Sequence, residues 1–261
     1  MKKNKLFILI SIISINLFVS CFDSSEENKK YIFRYNESSG ITSLDPIFSN
    51  TKSNIWAVNH IFNGLVDLDE NLNIVPSIAK SWKFDEKLLE YRFILRDDVF
   101  FHESDFFKND NKTRRVVASD FIYSFNRIKD DKFSSPGRWV MDYFLDDNPF
   151  QAINDTILII RLKDPFPSII NILAMKYFSV VPKEVVENQN FSKNPIGTGP
   201  FKFKYWMDNV KLVLLKNKIY FEFEDNYRLP YLDAINISFI KNPESLFINF
   251  LQSKIDFVSG H

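Results

Sequence analysis

Cysteine is almost absent from this chain: the one cysteine in 261 residues is Cys21. That excludes an internal disulfide framework, and a position so near the N-terminus argues against a cysteine nucleophile deeper in the fold. Histidine is nearly as scarce. His60, His102 and His261 have no His-x₃-His spacing and no second cysteine to complete a metal site. No Gly-x-Ser-x-Gly elbow occurs, and His60 sits within an apolar helical pattern while His261 is the last residue, so a hydrolytic triad has no evident base. The chain therefore reads as a non-enzyme without metal or cofactor. Charge is balanced. Removing residues 1–20 takes three lysines and no acid, leaving 30 basic against 33 acidic residues, a net of about −3. Nucleic acid is thus not an expected partner.

What is present begins with Lys2, Lys3 and Lys5, followed by the apolar stretch Leu6–Val19. This stretch falls short of the roughly 20 apolar residues that span a bilayer and reads as a secretory signal over residues 1–20. It ends in Leu17-Phe18-Val19-Ser20-Cys21, which resembles a bacterial lipobox, with Phe18 where Leu is commoner. Cys21 is accordingly the expected lipidation site. Acyl chains there, at about 0.8 kcal/mol per buried CH₂, would anchor the protein to a membrane without a spanning helix. Residues 21–30 are polar, lack periodicity and read as a flexible tether.

Only six glycines occur, yet Gly197 and Gly199 flank a single residue in Pro195-Ile196-Gly197-Thr198-Gly199-Pro200-Phe201. Glycine permits backbone angles closed to other residues, and the prolines fix φ, so a sharply turned, rigid loop is expected before the alternating strand Phe201–Trp206. Two readings stay open: a tight turn, or a loop that also faces a ligand. Phosphate binding is disfavoured, because a strand follows and no Lys-Ser or Lys-Thr pair does.

Along the remainder, Tyr31–Tyr35 alternates as a strand and Asn36-Glu37-Ser38-Ser39-Gly40 breaks it. Ser53 is placed to cap a helix over 54–64, with Ile55, Val58, Ile61, Phe62 and Leu65 on its apolar side. Two short strands are expected around Asp69-Glu70-Asn71, and a helical turn over Pro76–Trp82 leading into a strand. Tyr91–Arg96 should pair back on Lys80–Phe84 as a hairpin. A charged loop, 103–115, precedes a helix carrying Val117, Phe121, Ile122, Phe125 and Ile128 on one face. Strand 156–162, helix 167–174, a helical turn after Pro182, strands 211–215 and 234–240, and helix 244–252 complete an α/β alternation.

Several segments together carry a family resemblance. They are Ser43-Leu44-Asp45-Pro46, Ile61-Phe62-Asn63-Gly64-Leu65, Pro76-Ser77-Ile78-Ala79-Lys80-Ser81-Trp82, the run Tyr91–His102, Ala118–Arg127, the Gly-Thr-Gly-Pro-Phe loop and Leu229-Pro230-Tyr231-Leu232-Asp233. In this order the chain resembles the family 5 extracellular solute-binding proteins, the peptide-binding components of ABC importers, from about Tyr31 to Gly260. It departs from them at Ser104 and Ser253, where glycine is usual, and in length, which is about half. The resemblance implies an α/β fold, the first lobe of a periplasmic-binding-protein-like (type II, Venus flytrap) architecture with an inserted α+β subdomain and the second lobe missing. Residues 31–55 and 166–261 would form the lobe and 56–165 the insertion. It implies a monomer that captures oligopeptides or dipeptides in a cleft, closes by hinge motion and docks on membrane permease subunits, with no cofactor, at the periplasmic or outer-membrane face of the cell envelope. For ligand contact it points to Asn36, Glu37, Ser38 and Ser39, then to Trp139 and to Gly197, Thr198 and Gly199. The bland alternatives are a polar turn, a packed aromatic and a structural loop. For the whole chain the alternative is a truncated, non-transporting anchored lipoprotein.

Overall fold

The computed structural model describes residues 30–258; the signal, Cys21, most of the tether and His261 lie outside the described residues. Strand β1 is Ile32–Asn36, and helix α1, Lys52–Ile61, follows a 3₁₀ turn at Pro46–Phe48. Then come β2 (Val66–Leu68), β3 (Ile74–Pro76), β4 (Ala79–Asp85), β5 (Glu90–Leu95) and α2 (Ala118–Lys129). The chain continues through β6 (Phe150–Asn154), β7 (Ile157–Arg161), α3 (Ile169–Leu173) and α4 (Lys183–Val186). It closes with β8 (Phe201–Met207), β9 (Lys211–Lys216), β10 (Phe223–Glu224), β11 (Tyr227–Arg228), β12 (Ala234–Ser238) and α5 (Pro243–Leu251).

Two four-stranded sheets organise these elements, in the orders β1-β12-β9-β8 and β4-β5-β7-β6. In the first, β1 runs parallel to β12, pairing Ile32 with Ala234 and Asn36 with Ser238, whereas β9 and β8 join antiparallel. Its buried face carries Tyr35, Ile235, Ile237, Leu212 and Leu214. Helix α1 packs there, with His60 between the rings of Tyr35 and Phe201. The second sheet is wholly antiparallel. Tyr91, Phe93 and Leu95 alternate inward along β5 while Ile94 is exposed, as an antiparallel strand with one wet face requires. Helix α2 covers the inner face through Phe121 and Phe125; the Phe125 ring meets Phe150 and Phe178 edge-on at 5.2 and 5.1 Å.

Three local expectations are corrected. Helix α1 is capped by Thr51, whose hydroxyl accepts from the Asn54 N–H, and Ser53 lies inside the helix. Ile55 faces solvent, leaving Ala57, Val58 and Ile61 as the inward residues. Residues 77–78 form a bend instead of a helical turn, because the Ile78 N–H donates to Gly64 and the Ser77 and Ala79 N–H groups to Leu65, which draws this backbone onto the end of α1.

The first segment of the resemblance has a structural cause. Asp45 and Arg127 form a buried ion pair at 2.6 Å, each side chain only 4% exposed. The guanidinium lies over Phe133 and Phe191, and Asp45 also accepts from the Ile47 N–H at the 3₁₀ turn. The pair ties the approach to α1 onto α2.

Candidate functional site

A polar cleft of about 410 Å³ opens where β1 ends, at the edge where ligands of open α/β sheets commonly sit. One wall is the loop Asn36–Gly40 with Thr42; the other is the first turn of α1, Thr51, Lys52 and Ser53; Leu246 of α5 closes the floor. Asn36 explains why β1 stops. Its side-chain amide takes over from the strand, Oδ1 accepting from the Ile240 N–H at 2.8 Å and the Ser238 hydroxyl at 3.0 Å, and Nδ2 donating to the Ile240 carbonyl at 2.9 Å. The backbone is thereby freed to leave the sheet. It turns at Gly40, whose φ of 71° is the one position here that needs glycine's left-handed freedom. The Gly40 N–H donates back to Glu37 at 3.0 Å.

Asn54 joins the walls. Buried on α1, it accepts from the Thr42 N–H and donates to the Thr42 hydroxyl at 2.9 Å and to the Phe48 carbonyl. The cleft is thus held rigid from behind. Electrostatically it is two-sided: Glu37 supplies a carboxylate on the loop, while Lys52 and the N-terminus of α1 make the other wall positive. The Lys52 ammonium rests 4.7 Å from the Trp56 ring centre.

The remaining expected site residues are elsewhere. Gly197, Thr198 and Gly199 do not line this cleft; all three are buried against the C-terminal end of α1. Neither glycine has a positive φ, so the reason for glycine here is close approach. A Cβ on Gly197 would collide with the Ile61 carbonyl oxygen, and one on Gly199 would stand 2.7 Å from the His60 carbonyl oxygen. The Thr198 hydroxyl donates to Asn63, and Asn63 in turn donates to the Tyr220 hydroxyl. His102 holds the loop from the other side. Its backbone N–H donates to the Gly197 carbonyl at 2.8 Å, and the ring Nδ1 accepts from the Gly197 N–H. Nε2 must then carry the proton donated to the Gly199 carbonyl. Burial holds His102 neutral, its pKa pushed down to about 4. Trp139 lies on a 3₁₀ segment, Arg138–Tyr143, 48% exposed and edge-on to Tyr143, and it does not reach the cleft.

Thr51, Lys52 and Ser53 line the cleft although the sequence pattern does not mark them. The signal in the sequence is the cap: with Thr51 in that role the first turn of α1 starts two residues earlier and faces the loop. Among the described residues there is no group of three or more His, Cys, Asp or Glu side chains placed to hold a metal ion.

The profile of the bacterial extracellular solute-binding proteins, family 5 (middle region), matches residues 73–261. The chain belongs to that family. This family 5 chain is 30% identical over 197 residues to the periplasmic murein peptide-binding protein MppA of Escherichia coli K12, covering 69% of this chain and 35% of MppA. It is 28% identical over 182 residues to di/tripeptide-binding protein 1 of Pseudomonas aeruginosa, covering 64% of this chain and 33% of that protein. Among solved structures, the ABC transporter-associated periplasmic binding protein DppA of Helicobacter pylori, in complex with the peptide STSA, superposes with a TM-score of 0.77 at 25% identity. That match covers 91% of this chain and 48% of DppA. The family 5 chain thus spans about a third of the length of these curated relatives and about half of the solved one, with the type II periplasmic-binding-protein fold over its matched length.

Proposed function

We propose that this chain captures short peptides for an ABC importer, as one lobe of a two-lobed binding unit. The carrying observation is the polar cleft at the end of β1, in a family whose named relatives bind peptides. The reading gives the ligand contacts to Glu37, Ser38 and Ser39 on one wall and Thr51, Lys52 and Ser53 on the other, with Asn36 shaping the loop through Ile240. The Ser38 and Ser39 hydroxyls line the cleft and can each donate to or accept from a peptide backbone, and the Ser39 N–H donates to the Glu37 carboxylate. Recognition through backbone groups tolerates many side chains, which suits a peptide importer.

The lobe would comprise residues 31–55 and 166–261 with 56–165 inserted; helix α1, Lys52–Ile61, runs across the first of these boundaries. Lipidated Cys21 would hold the unit at the periplasmic or outer-membrane face, with permease subunits as partners. Among the described residues no helix is long and apolar enough to cross a membrane.

Isothermal titration of the full chain with trialanine tests this reading. Binding that Glu37→Lys and Lys52→Glu each weaken at least tenfold, at unchanged melting temperature, is the supporting result. No heat of binding with trialanine or with mixed tripeptides would leave the anchored, non-transporting alternative in its place. Labelled palmitate incorporated by the chain and lost in Cys21→Ser would support the anchor.

A further inference from the structure

A cavity of about 500 Å³ lies between residues 98–113 and residues 219–228, and it shares no lining residue with the polar cleft. The two open at opposite ends of the first sheet. The cleft adjoins the end marked by Asn36, Ser238 and Lys211, whereas Ile219, Phe223 and Arg228 follow β9 where it leaves the other end, at Lys216. We propose that this cavity binds a small amphipathic carboxylate, an apolar body that carries one carboxylate group. Such a site stands apart from the peptide reading above.

The short hairpin β10–β11 supplies the cationic wall. Its register sets Phe223 opposite Arg228, and the side chains of an opposed pair share a face. The Arg228 guanidinium accordingly rests 4.4 Å from the Phe223 ring centre, and Nη1 donates to the Tyr220 carbonyl. The ring and that bond orient a planar fork of five N–H donors, of which one is engaged there. Both acids of the lining are matched elsewhere. Asp98 accepts from Arg96 through Nε at 2.9 Å and Nη2 at 2.7 Å, and Glu103 pairs with Lys202. Arg228 is therefore the charge of this lining to which, among the described residues, neither lining acid is matched.

The remaining walls fix the rest of the ligand. Phe100, Ile219 and Phe223 are 39%, 40% and 52% exposed, so both segments offer apolar area to one concavity. An apolar body gains by covering that area, and a carboxylate meets a guanidinium through two parallel N–H···O bonds. The Asn111 amide in the lining offers a further donor. A cationic ligand would face Arg228 and would have to displace Arg96 or Lys202 from its acid. The volume falls in the range of small-ligand pockets.

Titration calorimetry of the full chain with phenylacetate and with phenylacetamide, which has the same shape without the charge, tests the site. The acid is expected to saturate with a Kd on the order of 0.1 mM and to bind at least about tenfold tighter than the amide. Arg228→Gln and Phe223→Ser should each weaken the acid about tenfold, with folding checked by thermal melting. Lys52→Glu, in the polar cleft, should leave it unchanged. Equal binding of acid and amide overturns the proposal, and that comparison needs no variant. Absence of saturation up to about 10 mM overturns it too. Affinity kept in both folded hairpin variants, or lost in Lys52→Glu, would move the acid away from this cavity and overturn it as well. No peptide takes part in these titrations, so peptide capture stands or fails on its own.

Discussion

The Nε2–H of His102 donates to the Gly199 carbonyl at 2.9 Å, across 97 positions of sequence, and the same carbonyl accepts from the Asn217 side chain at 3.0 Å. A neutral imidazole is required for this arrangement, since Nδ1 must remain an acceptor for the Gly197 N–H.

Acid should therefore unfold the protein through this residue. The folded pKa of His102 is pushed down to about 4 from 6.5 by burial, so the unfolded chain takes up the proton first as pH falls. Stability is complete above about 6.5 and declines on acidification, by about 2 kcal/mol at pH 5 from His102 alone. His60, also pushed down to about 4 by burial, acts in the same direction. Urea titrations at pH 7.5 and pH 5 should show the loss. His102→Gln should be less stable at pH 7.5 yet lose less between the two; an equal loss would rule out His102 as the titrating group.

Alanine at Gly197 or Gly199 should destabilise by about 3 kcal/mol or more, because the new methyl meets backbone that cannot swing aside. Alanine at Gly40, where nothing lies within 4 Å but φ is 71°, should cost about 1 kcal/mol. Denaturant midpoints of the three variants decide it; the reverse ranking contradicts the close-approach account.

Asp45→Ala leaves the Arg127 charge buried and unpaired, an expected loss of about 3–5 kcal/mol. Replacing both residues, as in Asp45→Leu with Arg127→Met, should recover much of it. A double-mutant cycle with coupling below about 1 kcal/mol would show that the pair is incidental.

Thr51→Ala should lower stability by about 1 kcal/mol through loss of the cap on α1, whereas Ser53→Ala should change it by less than half as much. Thermal melts of the two variants separate the positions. Equal effects would return the cap to Ser53.

Much of this architecture is legible in local pattern. The alternation in Tyr91–Arg96 predicts β5 and its hairpin with β4, and the apolar stripe Phe121, Phe125 and Ile128 predicts α2. What pattern cannot supply is which distant segments meet. Thr42 and Asn54 reveal nothing of their mutual hydrogen bonds until the chain folds, so local pattern does not set the wall at 51–53 beside the loop at 36–39. The rarity of glycine singles out the Gly-Thr-Gly loop, and the close approach of the Ile61 backbone that requires both glycines becomes visible only in the fold. Trp139 shows the converse: a large aromatic attracts interest by type, while in the fold it is half-exposed and edge-on to Tyr143.

The parallel pairing of β1 with β12 joins residues 32–36 to residues 234–238. A strand made early must therefore wait for a neighbour made some 200 residues later, a contact of high sequence separation whose loop-closure entropy slows folding. At translation rates of about 5–20 residues per second that wait lasts on the order of 10–40 seconds. Throughout it, the β1 edge and the cleft loop that grows from it have no template, leaving an open strand edge prone to stray pairing. The cleft loop is thus synthesised well before the strand that gives it its shape.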